Sequence, residues 1–257
     1  NILPFWRRLQ ESFRYPMDMN AVILIVSVAI LSTVTGFLPS LFGIIWSLLL
    51  TGALFKYSFS CLNNTSQGDL KAPDFSESFG GGFSIALTLF FIIIVLFAIF
   101  WMSLYFLGSM IASLMGIILI SIFPAIMINY ALTESIAEAL NPSKALRLIT
   151  SIGLPYGLLL GFILIMITSV GVINEIIGHD FSTITRILQA SVSNYYTIVV
   201  FHIMGYMIYQ YHKELGFESI KLNANSYKNK SVFEKNLSNI DVLIKEGKST
   251  EAIYLFS

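Results

Sequence analysis

Charge is scarce in this sequence. Asp, Glu, Lys and Arg together supply 12% of its 257 residues, while hydrophobic residues supply 56%. A soluble domain carries about 25% charged residues, which help to cover its surface with polar groups. A chain with so few of them is predicted to be an integral membrane protein. Its 15 basic residues are balanced by 15 acidic ones, so its net charge does not indicate a nucleic-acid partner.

Cysteine, histidine and catalytic motifs are also scarce. The single cysteine, Cys61, excludes a disulfide within the chain. The three histidines lie far apart and give no metal-ligand spacing. The sequence contains no nucleophile elbow, phosphate-binding glycine loop, zinc motif or kinase signature. We therefore expect no cofactor and no metal, and the sequence offers no catalytic residue.

Long apolar runs dominate the sequence instead. A membrane-spanning helix needs about 20 predominantly apolar residues. We predict an all-α fold, a six-transmembrane helical bundle with interfacial amphipathic helices and a cytoplasmic helical tail. The membrane domain covers residues 19–213, after a cytoplasmic N-terminal segment at 1–18, and it contains an interfacial insert at 133–152. The predicted spans are residues 19–38, 41–62, 83–107, 110–132, 154–177 and 195–213.

The positive charges predict which end of each span faces the cytoplasm. With both termini cytoplasmic, fourteen of the fifteen Lys and Arg residues lie on that side, and only Arg186 lies on the other. Loops rich in Lys and Arg stay on the cytoplasmic side of a membrane. We therefore predict a multi-pass inner-membrane protein that contacts membrane lipids, has both termini in the cytoplasm and binds no nucleic acid.

Composition changes after Glu214. Residues 214–239 are polar and basic and are predicted to be a linker. Residues 240–257 fit two short helices, and the stretch "EGKSTEA" within them resembles the middle of a tetratricopeptide repeat. One such repeat cannot bury its hydrophobic face alone, so we expect further repeats in a longer protein. The resemblance implies a cytoplasmic helical domain that binds a protein partner.

The insert "TESIAEALNPSKALRLITSIG" interrupts the apolar runs with charge. Glu134 and Glu138, four residues apart, would share one helical face, and paired carboxylates can transfer protons or bind cations. Alternatively they belong to a solvated face near Lys144 and Arg147, which is the interpretation that we favour. Apolar stripes on both sides of the Asn-Pro break predict an amphipathic helix–break–helix at the membrane surface. Lys144 and Arg147 would then contact lipid headgroups.

His202 lies inside the sixth predicted span. An ionisable side chain within a membrane is a functional candidate by default. Alternatively, a neutral His202 supports the structure by bonding to a helix backbone or to Tyr206, one turn further along the helix. We favour the structural role, and both residues remain candidates.

Gly153, Gly157 and Gly161 place a glycine at every fourth position near the start of the fifth span. Small residues at this spacing let helices approach closely in lipid. We favour packing within one subunit. The alternative is a contact between two copies, which would make a homo-oligomer.

Four stretches within residues 10–217 together resemble a group of bacterial polytopic membrane proteins. That group is similar to the membrane domain found attached to glycerophosphodiester phosphodiesterases, which has six spans and an amphipathic cytoplasmic insert. The resemblance implies the same fold and a bacterial inner-membrane location. The phosphodiesterase catalytic domain is not present in this sequence, so no catalytic residue carries over. The stretches are "FRYP", "GDLKAPDF", "ESIAEALNPSKALRLITSIGLPYG" and "GYMIYQYHKELGF".

Two functions are consistent with these features. The first is a non-enzymatic membrane anchor or scaffold that recruits partner proteins through its cytoplasmic repeat-like tail. The second is a carrier or remodeller of a lipid or of a small amphiphilic solute. A polar, water-accessible cavity around His202 would favour the carrier, whereas a closed apolar bundle with an extended repeat tail would favour the scaffold.

Overall fold

A computed structural model describes residues 3–78, 81–177, 182–212 and 214–215, and every regular element in these ranges is helical. The predicted repeat-like tail and nearly all of the predicted linker lie outside the described residues. Short 3-10 turns cover Phe5–Arg7, Tyr15–Met17, Thr33–Phe37 and Phe75–Ser78. The α-helices are α1 (Leu9–Arg14), α2 (Met19–Ser32), α3 (Ser40–Ser66), α4 (Gly82–Leu107), α5 (Ser109–Thr133), α6 (Ile136–Ala139), α7 (Pro142–Ile152), α8 (Leu154–Ile177) and α9 (Thr183–Gln210).

Five of the described helices are long and apolar enough to cross a membrane. Their bounds agree with the first five predicted spans to within a few residues, so the prediction of an all-helical, multi-pass membrane protein is confirmed. The five segments are Met19–Phe37, Ser40–Ser66, Gly82–Leu107, Ser109–Thr133 and Leu154–Ile173.

Helix α9 differs from the prediction. The amphipathic stretch before residue 195 and the predicted sixth span at 195–213 form one helix, which runs for 28 residues and about 42 Å at 1.5 Å per residue. This helix contacts α2, α3, α5, α8 and the N-terminal segment. All of its residues from 198 to 208 except Val200 are buried. A helix surrounded by protein does not need lipid-compatible side chains, which explains its modest hydropathy. A sixth crossing by α9 stays a prediction.

On α3, α5 and α9 the exposed large apolar side chains are confined to one half of the helix, whereas α2, α4 and α8 expose them along their whole length. On α3 the last exposed large hydrophobic residue is Leu49, on α5 it is Ile120, and on α9 it is Leu188. Beyond these points the same helices turn buried, with cores around Phe59, Met127 and the second half of α9. We call the exposed half the apolar belt and the other half the compact end. The belt has the composition of a lipid-facing surface.

Two glycines allow the closest helix contacts. A Cβ on Gly52 of α3 would lie 2.2 Å from the carbonyl oxygen of Gly82 at the start of α4. A Cβ on Gly205 of α9 would lie 2.5 Å from the carbonyl oxygen of Leu62 in α3. Real Cβ atoms do not approach backbone oxygens so closely, so both contacts require glycine.

Candidate functional site

The N-terminal segment, residues 3–18, packs along α9 at the compact end. The Phe5 side chain is buried, and its backbone N–H donates to Oε1 of Gln210 over 2.9 Å. Near the other end of the segment, the Tyr195 hydroxyl donates to the carbonyl oxygen of Phe13. The sequence predicted a cytoplasmic N-terminal segment before the first span. The structure shows that this segment packs on α9, and its cytoplasmic location stays a prediction.

A polar cavity of about 700 Å³ lies between this segment, the chain that follows α3, and α9. Its wall combines cationic, acidic, hydroxyl and aromatic side chains from three separate parts of the sequence. The lining residues are Arg8, Glu11, Ser12, Arg14, Tyr15, Met17, Asp18, Asn20, Leu70, Lys71, Ala72, His202 and Tyr206.

His202 is fixed on two sides within this wall. Its Nδ1 and the Thr65 Oγ1 are hydrogen-bonded at 2.9 Å, and its ring stacks on Tyr15 with the centroids 3.9 Å apart. The side chain is 4% exposed. The predicted alternative partner, Tyr206, does not bond to it. Nε2 of His202 makes no hydrogen bond to any residue in the described part of the chain and is left for another partner.

Tyr206 lies one turn further along α9 and lines the same cavity. Its hydroxyl donates to the carbonyl oxygen of Leu3 over 2.8 Å, and the Arg8 guanidinium lies 5.4 Å from its ring centroid. A cation over an aromatic face is attracted by the ring quadrupole. Tyr206 therefore holds the N-terminal segment on α9 and positions Arg8 at the cavity.

The cavity wall carries three cations and two carboxylates. Arg8 forms an ion pair with Glu11, and the Asp18 side chain accepts the backbone N–H of Asn20 as the cap of α2. Arg14 and Lys71 form no ion pair with any carboxylate among the described residues. Three cations against two carboxylates leave this cavity wall with a net excess of one positive charge.

The protonation states at the cavity follow from its surroundings. Interaction with the Tyr206 side chain is the main cause that raises the pKa of the Arg8 guanidinium. Desolvation lowers this pKa, and the neighbouring Glu11 carboxylate raises it further. Burial raises the pKa of the Tyr15 phenol, which therefore stays neutral. The Tyr15 hydroxyl donates to the carbonyl oxygen of Lys71 over 3.2 Å and ties the two sides of the cavity together.

The structure separates the two carboxylates of the insert. Helix α5 ends at Thr133, and Glu134 follows in a left-handed conformation with φ 53°. Glu138 lies on the separate helix α6 and forms an ion pair with Lys144. The expectation that Glu134 and Glu138 share one helical face is wrong because α5 ends before Glu134 and a separate helix, α6, begins after it.

The remaining features of the insert follow the sequence pattern. The side chain of Asn141 caps α7 by accepting the backbone N–H of Ser143. The apolar side of α7 is buried at Ala145, Leu148 and Ile152. Arg147 is exposed on the opposite side, so its contact with lipid headgroups stays a prediction.

The glycine stripe of α8 does not mediate a close contact within the described chain. A Cβ on Gly157 or Gly161 would meet nothing within 4 Å. Gly153 precedes α8 and ends α7 with φ 68°, a conformation that glycine adopts without strain. The packing role within one subunit is taken by Gly52 and Gly205 instead.

The residues that complete the cavity lay outside the sequence-based candidates. Arg8, Arg14 and Lys71 counted only as orientation signals, and Tyr15 belonged to the quoted stretch "FRYP" without a role of its own. The cluster of basic residues before the first span was the one sequence feature that could have indicated this cavity. In the described part of the chain, no group of three His, Cys, Asp or Glu side chains is placed to hold a metal ion.

Comparisons with known proteins find no matching family model, no similar curated protein and no similar solved structure. The fold therefore defines only a broad class, that of helical integral membrane proteins. The resemblance to the phosphodiesterase membrane domain stays an expectation from the sequence.

Proposed function

We propose that this protein is a carrier of an anionic membrane amphiphile, whose headgroup it binds in the polar cavity. The observation that carries the proposal is the cavity wall around His202, where Arg14 and Lys71 lack carboxylate partners. A polar cavity at this histidine is the feature that distinguishes a carrier from a scaffold.

The size and chemistry of the cavity support a headgroup ligand. About 700 Å³ falls within the range of 300–1,000 Å³ that is usual for small-molecule sites. Guanidinium and ammonium groups bind phosphate and carboxylate oxygens through charge-assisted hydrogen bonds. Nε2 of His202 can bond to a sugar or glycerol hydroxyl of the same headgroup, and the Ser12 hydroxyl, which already donates to the carbonyl oxygen of Arg8 over 3.2 Å, can accept from such a hydroxyl.

The predicted orientation supports the same ligand class. The compact end carries Arg7, Arg8, Arg14 and Lys71, and the positive-inside rule predicts that such an end faces the cytoplasm. The cytoplasmic leaflet is where anionic lipids concentrate and where they attract basic segments. An anionic lipid of that leaflet is therefore the ligand that we expect the cavity to meet.

Equilibrium binding of short-chain lipids to the full chain in an uncharged detergent tests the proposal. We expect dihexanoyl phosphatidylglycerol to bind more tightly than dihexanoyl phosphatidylcholine, and the combined substitutions Arg14→Gln and Lys71→Gln to remove the difference. The matched control combines Arg7→Gln with Arg186→Gln, which removes the same charge outside the cavity. If the control loses as much binding as the cavity variant, the attraction is general surface charge and the proposal fails.

The scaffold function rests on the segment after residue 214 and stays a prediction from the sequence. Affinity purification of the full chain, with and without the residues after Glu214, tests it. Equal recovery of partner proteins from both forms would contradict recruitment through the tail.

A further inference from the structure

We propose a second ligand site, a groove between α4, α5 and α8 that takes one hydrocarbon chain from the surrounding bilayer. The groove has a volume of about 660 Å³. Helix α9 forms its floor with residues that include Phe201 and Met204, and its walls include Phe100, Leu119, Phe123 and Ile163.

The groove opens into the apolar belt. Three side chains that line it are also more than half exposed, Phe97 at 61%, Ile120 at 62% and Ile167 at 62%. These residues lie on α4, α5 and α8, whose exposed side chains in this half of the bundle are mostly large and apolar. A lipid tail can therefore enter from the side without leaving a hydrocarbon environment.

The chemistry of the groove selects hydrocarbon. Ser121 is the one lining residue with a polar side chain, and its hydroxyl already donates to the carbonyl oxygen of Ile117 over 2.8 Å. A polar ligand group would be desolvated in this groove without a partner, which is unfavourable. An acyl chain meets no desolvation penalty on entry, and its close contacts with the walls offset the conformational freedom that it loses.

A tyrosine of α8 anchors the inner end of the groove. The Tyr156 hydroxyl donates to the carbonyl oxygen of Ser121 over 2.7 Å and accepts the backbone N–H of Ala125 over 3.1 Å. It thus lies between two backbone groups that would bond to each other in a regular helix, next to Pro124 in the interior of α5. This contact joins α8 to α5 below the groove, while α8 otherwise packs on α9 and leaves the space between α5 and α8 open.

The groove is separate from the polar cavity. His202 and Tyr206 line the cavity, whereas Met204 lines the groove. Residues two apart on a helix point to nearly opposite sides. The two sites therefore lie on opposite sides of α9, and occupancy of the groove does not depend on the cavity.

Photocrosslinking in phospholipid vesicles tests this proposal. The probe is a phosphatidylcholine with a diazirine in the middle of one acyl chain, reconstituted with the full chain, and adducts are mapped by mass spectrometry. We expect adducts on Phe100 and Phe123 at higher yield than on belt residues outside the groove. Ile163→Trp, which fills the groove, should lower these adducts to the belt level, whereas Ile165→Trp, on the exposed side of α8, should leave them unchanged.

A second pair of variants keeps the test valid even if Ile163→Trp does not fold. Leu119→Trp fills the groove from α5, and Ile118→Trp is its exposed control. Groove adducts at belt level in the unmodified chain, or unchanged in both filled variants, would overturn the proposal. So would disulfide-linked dimers through Phe100→Cys in place of lipid adducts, because a second copy would then cover the groove. Arg14→Gln with Lys71→Gln should leave the adducts intact, so failure here is distinguishable from failure of the headgroup site.

Discussion

At the scale of the residue, His202 is held by two side chains that are far from it in the chain. Thr65 comes from α3 and Tyr15 from the N-terminal segment. The hydrogen bond fixes one ring nitrogen and the stacking fixes the ring plane. His202 therefore has a structural role through Nδ1, and this role does not exclude the proposed headgroup contact through Nε2.

Replacing His202 by Phe tests the structural half of that role. The phenyl ring keeps the stacking on Tyr15 but leaves the buried Thr65 hydroxyl without its partner, which costs about 1–3 kcal/mol. We expect His202→Phe to lower the free energy of unfolding in detergent by that amount. Adding Thr65→Val should recover part of the loss, because both polar groups are then gone. A double variant as unstable as the sum of the two single variants would contradict the direct bond.

Gly205 provides the sharpest steric prediction. A methyl group there would lie 2.5 Å from the backbone oxygen of Leu62, so α3 and α9 must separate. We expect Gly205→Ala to lower the unfolding free energy by about 1–3 kcal/mol. Gly161→Ala is the control, because its Cβ meets nothing within 4 Å and alanine favours a helix by about 1 kcal/mol. Equal effects of the two substitutions would contradict the close contact of α3 with α9.

The sequence shows glycines but not which of them meet another helix. The spacing of Gly153, Gly157 and Gly161 indicated a packing face, yet the tight contacts occur at Gly52 and Gly205. A contact between α3 and α9 joins residues more than 140 positions apart, and no local pattern encodes it. The same limit applies to the bond from Thr65 to His202.

At the scale of the element, the Tyr156 hydroxyl replaces a bond of the α5 backbone. We expect Tyr156→Phe to leave the Ser121 carbonyl and the Ala125 N–H unsatisfied in an apolar environment, at a cost of about 1–3 kcal/mol in unfolding free energy. Adding Pro124→Ala should offset part of this cost, since the helix can then close its own hydrogen bonds. Additive losses from the two substitutions would contradict this account of the break.

The exposed side of helix α7 leads to a prediction about how the insert contacts the membrane surface. Its apolar side is buried and Arg147 is exposed on the other side. Near anionic headgroups a basic side chain contributes about 1 kcal/mol, so Arg147→Glu should loosen the insert from the membrane. We expect faster protease cleavage within residues 133–152 in vesicles, with Lys144→Gln as a milder comparison. Unchanged cleavage would contradict the lipid contact.

The boundaries of the helices were predictable where a membrane environment requires apolar side chains. The five long apolar segments match the first five predicted spans to within a few residues because each is a long run of predominantly apolar residues. The sequence-based prediction divided α9 into an amphipathic stretch and a separate span. It did so because hydropathy indicates which residues suit a lipid environment and does not show which residues are buried in protein. Its Asn194 looks unsuitable for a membrane, yet its side-chain amide donates to the carbonyl oxygen of Ile25 over 3.2 Å.

At the scale of the whole molecule, the two proposed sites lie on opposite sides of α9. The polar cavity lies at the compact end, and the groove opens into the apolar belt while its floor at Phe201 and Met204 belongs to the buried part of α9. The N-terminal segment completes the cavity through aromatic and hydrogen-bond contacts with α9. Its composition alone predicted only a charged flank, because the partners of its side chains come from remote parts of the chain.

Movement of an anionic lipid across a reconstituted membrane tests the central claim most directly. Fluorescent phosphatidylglycerol is placed in the outer leaflet of vesicles that contain the full chain, and the fraction protected from a membrane-impermeant reductant is followed with time. We expect the unmodified chain and the control with Arg7→Gln and Arg186→Gln to protect the lipid faster than protein-free vesicles do. Arg14→Gln with Lys71→Gln should return the rate to the protein-free value. A rate for the unmodified chain equal to that of protein-free vesicles would contradict a carrier, and an unimpaired cavity variant would contradict the cavity as its site.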